Sequence, residues 1–352
     1  MRQIRLGQTG LMVPEVGFGG IPIQRLTHDE AVRVVQHCID LGATFLDTAH
    51  GYSTSEERIG AALQGRRDGL VIATKSPARQ AESFRQQMEL SFQRLQVDYI
   101  DLFQFHNVSD EASYEQIMAP GGPYEIACRA RDEGRIGHLG ITSHTLDLAV
   151  EFARSDRFET IMFPFNYITD EAARELIPLC RQHDIGFLAM KPMGGGLLSD
   201  ATLSFKYLQQ WPDILMLVGI ERCKEIDEIV DVVEGSAALS DAERARIAAI
   251  REELGHQFCR RCGYCQPCPQ EIDITVVMTL KSWAQRMPTD RLFGEWGQAL
   301  IARAGEAVAR VAVEMLGGTY GRTVNVLAGP GNNGADGRVA AERLTARNVR
   351  VR

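Results

Sequence analysis

Residues 43–75 read ATFLDTAHGYSTSEERIGAALQGRRDGLVIATK. Two short apolar, β-rich runs, ATFLDTA and GLVIATK, flank a helical pattern. Continuous apolar runs of this length suit strands covered on both faces, which means parallel strands packed under helices. The same rhythm recurs in EVGFGG from 15, YIDLFQFH from 99, HLGITS from 138, TIMFPFN from 160, IGFLAMKP from 185 and ILMLVGI from 214. Eight strand-then-helix units fit a (β/α)8 TIM barrel, an α/β fold, better than an open sheet. The intervening stretch THDEAVRVVQHCIDLG shows why these segments are helices. Thr27 and Glu30 form a capping box, and Ala31, Val34, Val35, Cys38 and Leu41 make one apolar face. A barrel of this kind places its chemistry at the C-terminal ends of its strands.

The 352 residues are 45% hydrophobic and 24% charged, close to the averages of soluble globular proteins, so neither disorder nor a fibre is expected. A formal net charge of -8, with no block of Lys and Arg interleaved with aromatics, argues against a nucleic-acid partner. The N-terminus lacks the apolar core of a signal peptide, and no stretch approaches the ~18 apolar residues that span a bilayer. The expected location is cytoplasmic, with no membrane partner. The chain reads as a barrel over 1–254, a cysteine segment over 255–290 and a further segment over 291–352.

Four polar residues stand where a barrel keeps its chemistry: Asp47 and Tyr52 after the second strand, Lys75 ending the third and His106 ending the fourth. A phenol with an ordinary pKa of ~10 is a poor proton donor near neutrality, and an adjacent ammonium lowers that value by favouring the phenolate. Lys75 is the candidate ammonium for Tyr52. Asp47 would keep the lysine charged and in place, and His106 could hydrogen-bond a substrate carbonyl. Such a site protonates a carbonyl oxygen while hydride reaches the carbon.

The stretches FLDTAHGYSTSEERIGAAL, VIATK, YIDLFQFHN and GITSHT resemble the aldo-keto reductase family, in order, from residue 1 to about 250. That resemblance implies a catalytic tetrad at Asp47, Tyr52, Lys75 and His106. It also implies a small carbonyl substrate and NADPH, less often NADH, lying across the barrel mouth. Ser143 matches the carboxamide-binding serine, and GIERCKE matches the phosphate and adenosine loop, offering Gly219, Arg222 and Lys224. Three positions depart from the pattern. The usual asparagine is His144, the usual glutamine falls at Phe163 or Pro164, and the aromatic that stacks on nicotinamide falls at Met190. Glu221 and Glu225 oppose a 2'-phosphate that Arg222 and Lys224 would hold.

Cys259, Cys262, Cys265 and Cys268 form C-x2-C-x2-C-x2-C-P. Structural zinc usually takes two C-x2-C pairs with a long spacer, which is lacking here. The run is one residue shorter than the bacterial ferredoxin spacing, so a 4Fe-4S cluster is expected ahead of zinc. The string CGYCQPCP resembles a subgroup of aldo-keto reductases with a ferredoxin-like C-terminal extension. In two-cluster ferredoxins the fourth cysteine serves the other cluster, so the place of Cys268 stays open. A redox role, with an electron-transfer partner, and a structural role are both compatible with the run.

The stretch GPGNNGADG, 329–337, has strand and helix on its two sides but no further β-α-β unit, so as a dinucleotide loop it is weak. With IARAGEAVARVAVEMLGG before it, it resembles the start of the NAD(P)HX epimerase family, which implies roles for Asn332, Asn333 and Asp336 at a potassium and phosphate site. A lone strand with its helices cannot cover both its faces, so partial order and no epimerase activity are expected. Two rival readings of the whole chain are cofactor repair by this segment and an iron-sulfur relay or binding protein on a barrel scaffold.

Overall fold

The computed structural model describes residues 1–254, 294–316, 323–326 and 332–352, and between these residues 258–259, 265, 274–275, 277–279 and 288. The chain divides into two units, Met1–Cys262 and Gly263–Arg352.

In the first unit a hairpin of β1 (Gln3–Arg5) and β2 (Met12–Pro14) precedes eight parallel strands. These are β3 (Val16–Gly19), β4 (Phe45–Asp47), β5 (Val71–Ser76), β6 (Ile100–Phe105), β7 (Ile136–Thr142), β8 (Thr160–Pro164), β9 (Gly186–Met190) and β10 (Ile214–Gly219). They pair in chain order, and β10 closes on β3, so the sheet is a complete barrel. Each of the eight apolar runs supplies one strand. The helices that matter for the site are α1 (His28–Asp40), α2 (Ser55–Ala62) and α3 (Ala81–Leu95), with α4 (Cys223–Glu234) after the last strand. The capping box of α1 forms as expected: Glu30 N–H donates to Thr27 Oγ1, and Thr27 N–H donates back to Glu30 Oε2 at 3.0 Å.

Strand alternation sorts the side chains into two apolar sets. Leu46, Ile72, Phe103, Ile141, Ile161, Phe163 and Met216 pack outward among the helices. Phe45, Val71, Ala73, Leu102, Met162, Leu188, Leu215 and Leu217 fill the barrel, joined by Ile4, Leu6 and Val13 of the hairpin and its flank. The hairpin, which the strand rhythm did not foretell, therefore plugs the barrel floor. Above this apolar plug the inward positions turn polar: Asp47, Lys75, Gln104 and Thr142 are all buried. The site is thus set on a dry floor at the C-terminal ends of the strands.

In the second unit, helices Glu295–Met315 and Asn332–Ala346 pack together around Ala309, Leu344 and Val349. Glu306 accepts from Arg347 and, at 3.2 Å, from Arg310. Two features differ from expectation. The strand Thr323–Val324 is not alone but pairs in parallel with Arg350–Val351, because the chain's last residues return beside it. The glycine-rich stretch is not loop throughout, since the helix starts at Asn332 and takes in Asn333 and Asp336. Within 272–286, residues 274–275 and 277–279 are described, and these are helical.

The seam between α2 and α3 is tight at Gly60, where a Cβ would come within 2.8 Å of the Leu95 carbonyl carbon and collide with the Arg94 oxygen. Backbone on the far side cannot yield as a side chain would. Gly60→Ala is expected to destabilise the barrel by about 1–3 kcal/mol, read as a lower denaturant midpoint. An unchanged midpoint would contradict this packing.

Candidate active site

Asp47 is the last residue of β4 and Lys75 the fifth of β5, both pointing into the barrel and both essentially inaccessible, at 2% and 1%. Lys75 Nζ donates to Asp47 Oδ2 and, at 2.7 Å, to the Thr48 carbonyl. Gln104 Nε2 donates to the other carboxylate oxygen at 3.0 Å. Burial raises the Asp47 carboxyl above the ordinary carboxylate range, against the opposing pull of the Lys75 charge and of the hydrogen bonds from Lys75 and Gln104. Gln104 was missed by the sequence reading. The signal was there: it lies two residues before His106, which directly follows the strand, so the period of two puts both on the inner face.

Tyr52 reaches the same place from the segment between β4 and α2. The segment is pinned by His50 N–H to the Lys75 carbonyl at 3.0 Å and by Ser55 N–H to the Tyr52 carbonyl at 2.8 Å. Lys75 Nζ lies 5.2 Å from the centre of the Tyr52 ring. The His106 ring stands edge-on to that ring at 5.6 Å. The four residues expected to act together are therefore gathered into one cluster. Burial, then the cations of Lys75 and Arg79, push His106 down to about 3. Its Nδ1 is buried with no hydrogen-bond partner in the structure. A neutral imidazole results, which can donate from one nitrogen only. Arg79 clamps the adjoining turn by donating to the His106 and Asn107 carbonyls at 2.9 and 3.0 Å.

The residues expected to hold a dinucleotide lie on other strand ends around the mouth. Ser143 follows β7, is buried, and exchanges hydrogen bonds with Thr145. His144 contacts Asn107 and Lys191 through its two ring nitrogens. Met190 ends β9, partly exposed, and pairs with Pro164 on β8. Because Phe163 packs outward, Pro164 is the inward residue of the pair in which a glutamine was sought. Gly219 ends β10, where a Cβ would press on Pro22 at 2.9 Å. Arg222 and Lys224, both exposed, stand where α4 begins. Arg222 is engaged by Glu225 at 2.8 and 3.0 Å, and the same carboxylate accepts from the Glu221 and Arg222 N–H groups.

Of the four clustered cysteines, Cys259 and Cys265 are described, as free thiols, while Cys262 and Cys268 lie outside the described residues. Phe258, just before the run, packs its ring against Gly194 in the loop after β9. Among the described residues no group of three metal-ligating side chains is found, and no helix is long and apolar enough to cross a membrane.

The model of the Aldo/keto reductase family matches residues 15–210, more than half of the chain. The model of the YjeF-related protein N-terminus matches residues 297–352. The chain is 29% identical over 217 residues to the uncharacterized oxidoreductase YqkF of Bacillus subtilis (strain 168), covering 58% of this chain and 68% of that protein. It is 29% identical over 214 residues to L-galactose dehydrogenase of Arabidopsis thaliana, covering 55% and 66%. The chain thus spans about two thirds of the length of these curated relatives. Among solved structures it is similar to the holo form of the aldo-keto reductase AKR11C1 from Bacillus halodurans, with 25% identity and a TM-score of 0.62 over 71% of this chain and 96% of that one. An aldo/keto reductase from Klebsiella pneumoniae, solved with NADP and acetate, shares the fold at 21% identity and a TM-score of 0.61, over 71% and 95%. With an eight-stranded closed barrel, a gathered Asp-Tyr-Lys-His cluster at its mouth and a family match over most of the barrel, the chain belongs to the aldo/keto reductase family.

Proposed function

We propose that the chain interconverts a small carbonyl compound and its alcohol with NADPH, or NADH, using Asp47, Tyr52, Lys75 and His106. The single observation that carries this is the buried Lys75, bonded to Asp47 and set beside the Tyr52 ring. Reduced nicotinamide, when bound, supplies the hydride. Tyr52 gives its hydroxyl proton to the carbonyl oxygen as that hydride arrives, and the neighbouring Lys75 charge favours the phenolate left behind. Asp47, which accepts from both Lys75 and Gln104, holds the lysine in place. His106, neutral, hydrogen-bonds the carbonyl and orients it. Ser143 would hold the carboxamide, Met190 would lie under the nicotinamide ring, and Gly219, Arg222 and Lys224 would receive the phosphate end. The chemistry fits: Arg222 is 76% exposed and its present partner is a carboxylate, an anion that a phosphate can replace.

On their spacing, Cys259, Cys262 and Cys265, with Cys268 as the candidate fourth ligand, would hold a 4Fe-4S cluster. No step of carbonyl reduction needs it. The match of residues 297–352 supports a second reading, repair of hydrated nicotinamide cofactor, which would be independent of Tyr52.

Tyr52→Phe is expected to lower NADPH-dependent reduction of para-nitrobenzaldehyde by about 10²-fold or more while dinucleotide binding, followed by fluorescence, persists. Undiminished reduction would refute the tetrad. With His106 at about 3, kcat/KM for reduction should show no limb near the ordinary histidine value of ~6.5; a limb there that disappears in His106→Gln would show a titrating histidine instead. Anaerobically purified protein should be brown, with iron and sulfide in equal amounts. Colourless, zinc-containing protein would replace the cluster with a zinc site.

A further inference from the structure

Two non-glycine residues at the barrel mouth adopt left-handed backbone: Asn107, just after β6, at φ 55°, and Lys191, just after β9, at φ 61°. Such conformations are strained and persist only where the surroundings over-determine them. One side chain joins the two. His144 Nε2 lies 2.7 Å from Lys191 Nζ, and His144 Nδ1 lies 2.9 Å from Asn107 Oδ1. An ammonium can only donate and an amide oxygen can only accept. The ring must therefore be neutral, accepting at Nε2 and carrying its one proton on Nδ1. A proton on Nε2 would face the ammonium head-on.

Both ends of this chain of bonds are anchored. The Lys191 carbonyl accepts from Asn166 Nδ2 at 3.0 Å. Asn166 is 1% exposed, and its own oxygen accepts from the Ile168 and Thr169 N–H groups at 2.8 Å. At the other end Asn107 N–H donates to Thr142 Oγ1 at 2.7 Å. Arg79 holds the Asn107 carbonyl together with that of His106. The relay thus runs from β9 across β7 to the turn that presents His106.

We propose that Lys191 is a positioning residue of the carbonyl-reducing site, acting through neutral His144 to hold Asn107 and with it the turn that carries His106. This rests on the reading of His106 as the group that orients the carbonyl. It also gives His144 a different task from the one its place in the sequence implied. With both ring nitrogens engaged, His144 braces two strand ends and does not bind the nicotinamide carboxamide.

The test uses the full-length protein with 15N-labelled histidine, its His144 signals identified by their loss in His144→Gln. Long-range proton–nitrogen spectra at neutral pH should show His144 with its proton on Nδ1. In Lys191→Met the population should move to the Nε2–H form that free imidazole prefers. In the same variant kcat for para-nitrobenzaldehyde should fall roughly tenfold, as expected of a misplaced orienting group, with the KM for NADPH little changed and the melting temperature kept. Lys191→Arg should restore both the tautomer and most of kcat. An Nε2–H tautomer in the wild type, or an undiminished kcat in Lys191→Met, would overturn the proposal, as would a loss of kcat that follows melting temperature and is not rescued by arginine. A fully active Tyr52→Phe would instead overturn the functional reading, leaving the tautomer result as it stands.

Discussion

The ion pair of Lys75 and Asp47 is the constraint around which the barrel mouth is organised. Taking both charges out of water costs several kcal/mol for each, and their attraction offsets this only when the remaining polar atoms are satisfied. The structure meets that condition closely. The ammonium also bonds the Thr48 carbonyl, and the second carboxylate oxygen bonds Gln104. Removing one partner would strand a charge on a dry floor, a change worth about 3–5 kcal/mol. A hydrophobic pair of similar volume would serve stability at least as well, so what the ions add is geometry. They require β4 and β5 to keep one register, since a shift of one residue would turn Lys75 outward.

That register reaches the tyrosine through the other face of the same strand. Thr74, next to Lys75, points out of the barrel and donates to Glu56 Oε1 at 2.7 Å. Glu56 is 1% exposed, sits in the first turn of α2 and faces Arg94 of α3 at 3.6 Å. A buried carboxylate at that point complements the positive end of the helix dipole. β5 thus grips the loop of Tyr52 from two sides: Lys75 and its carbonyl hold the loop's beginning, and Thr74 holds the helix at its end. The phenol is presented by a loop, yet its position is set by a strand.

Much of this was legible because it depends on local patterns. The eight strands declare themselves by apolar runs, and the four clustered polar residues by their place at the strand ends. The hairpin Gln3–Arg5 and Met12–Pro14 escaped because its short strands are partly exposed and lack the fully buried apolar run that marks a strand covered on both faces. Alternation decides between Phe163 and Pro164, but only once the inward face of β8 is known. Lys191 could not be read from sequence at all. Its meeting with His144 and Asn107 needs three strand ends to converge and two residues to adopt left-handed backbone, and nothing within a short window encodes either. The same holds for the second unit, where Arg350–Val351 returns to pair with Thr323–Val324 across an intervening helix.

The outer rim obeys a different electrostatic logic from the floor. Arg222 donates twice to one oxygen of Glu225, as Lys75 and Asp47 form a tight pair, but Arg222 is 76% exposed. In water an exposed pair contributes about 0.2–1 kcal/mol, which is at most about a fivefold effect on an equilibrium. A phosphate brings more charge and more acceptor oxygens than the carboxylate it would displace, so a charge-assisted contact to Arg222 outweighs that loss. Arg222 can turn away from Glu225 at little cost, the carboxylate staying on the Glu221 and Arg222 N–H groups, whereas Asp47 cannot move without leaving Lys75 bare. The barrel therefore pairs a rigid interior, suited to a proton donor that must not drift, with a yielding rim, suited to a large anionic ligand that enters and leaves.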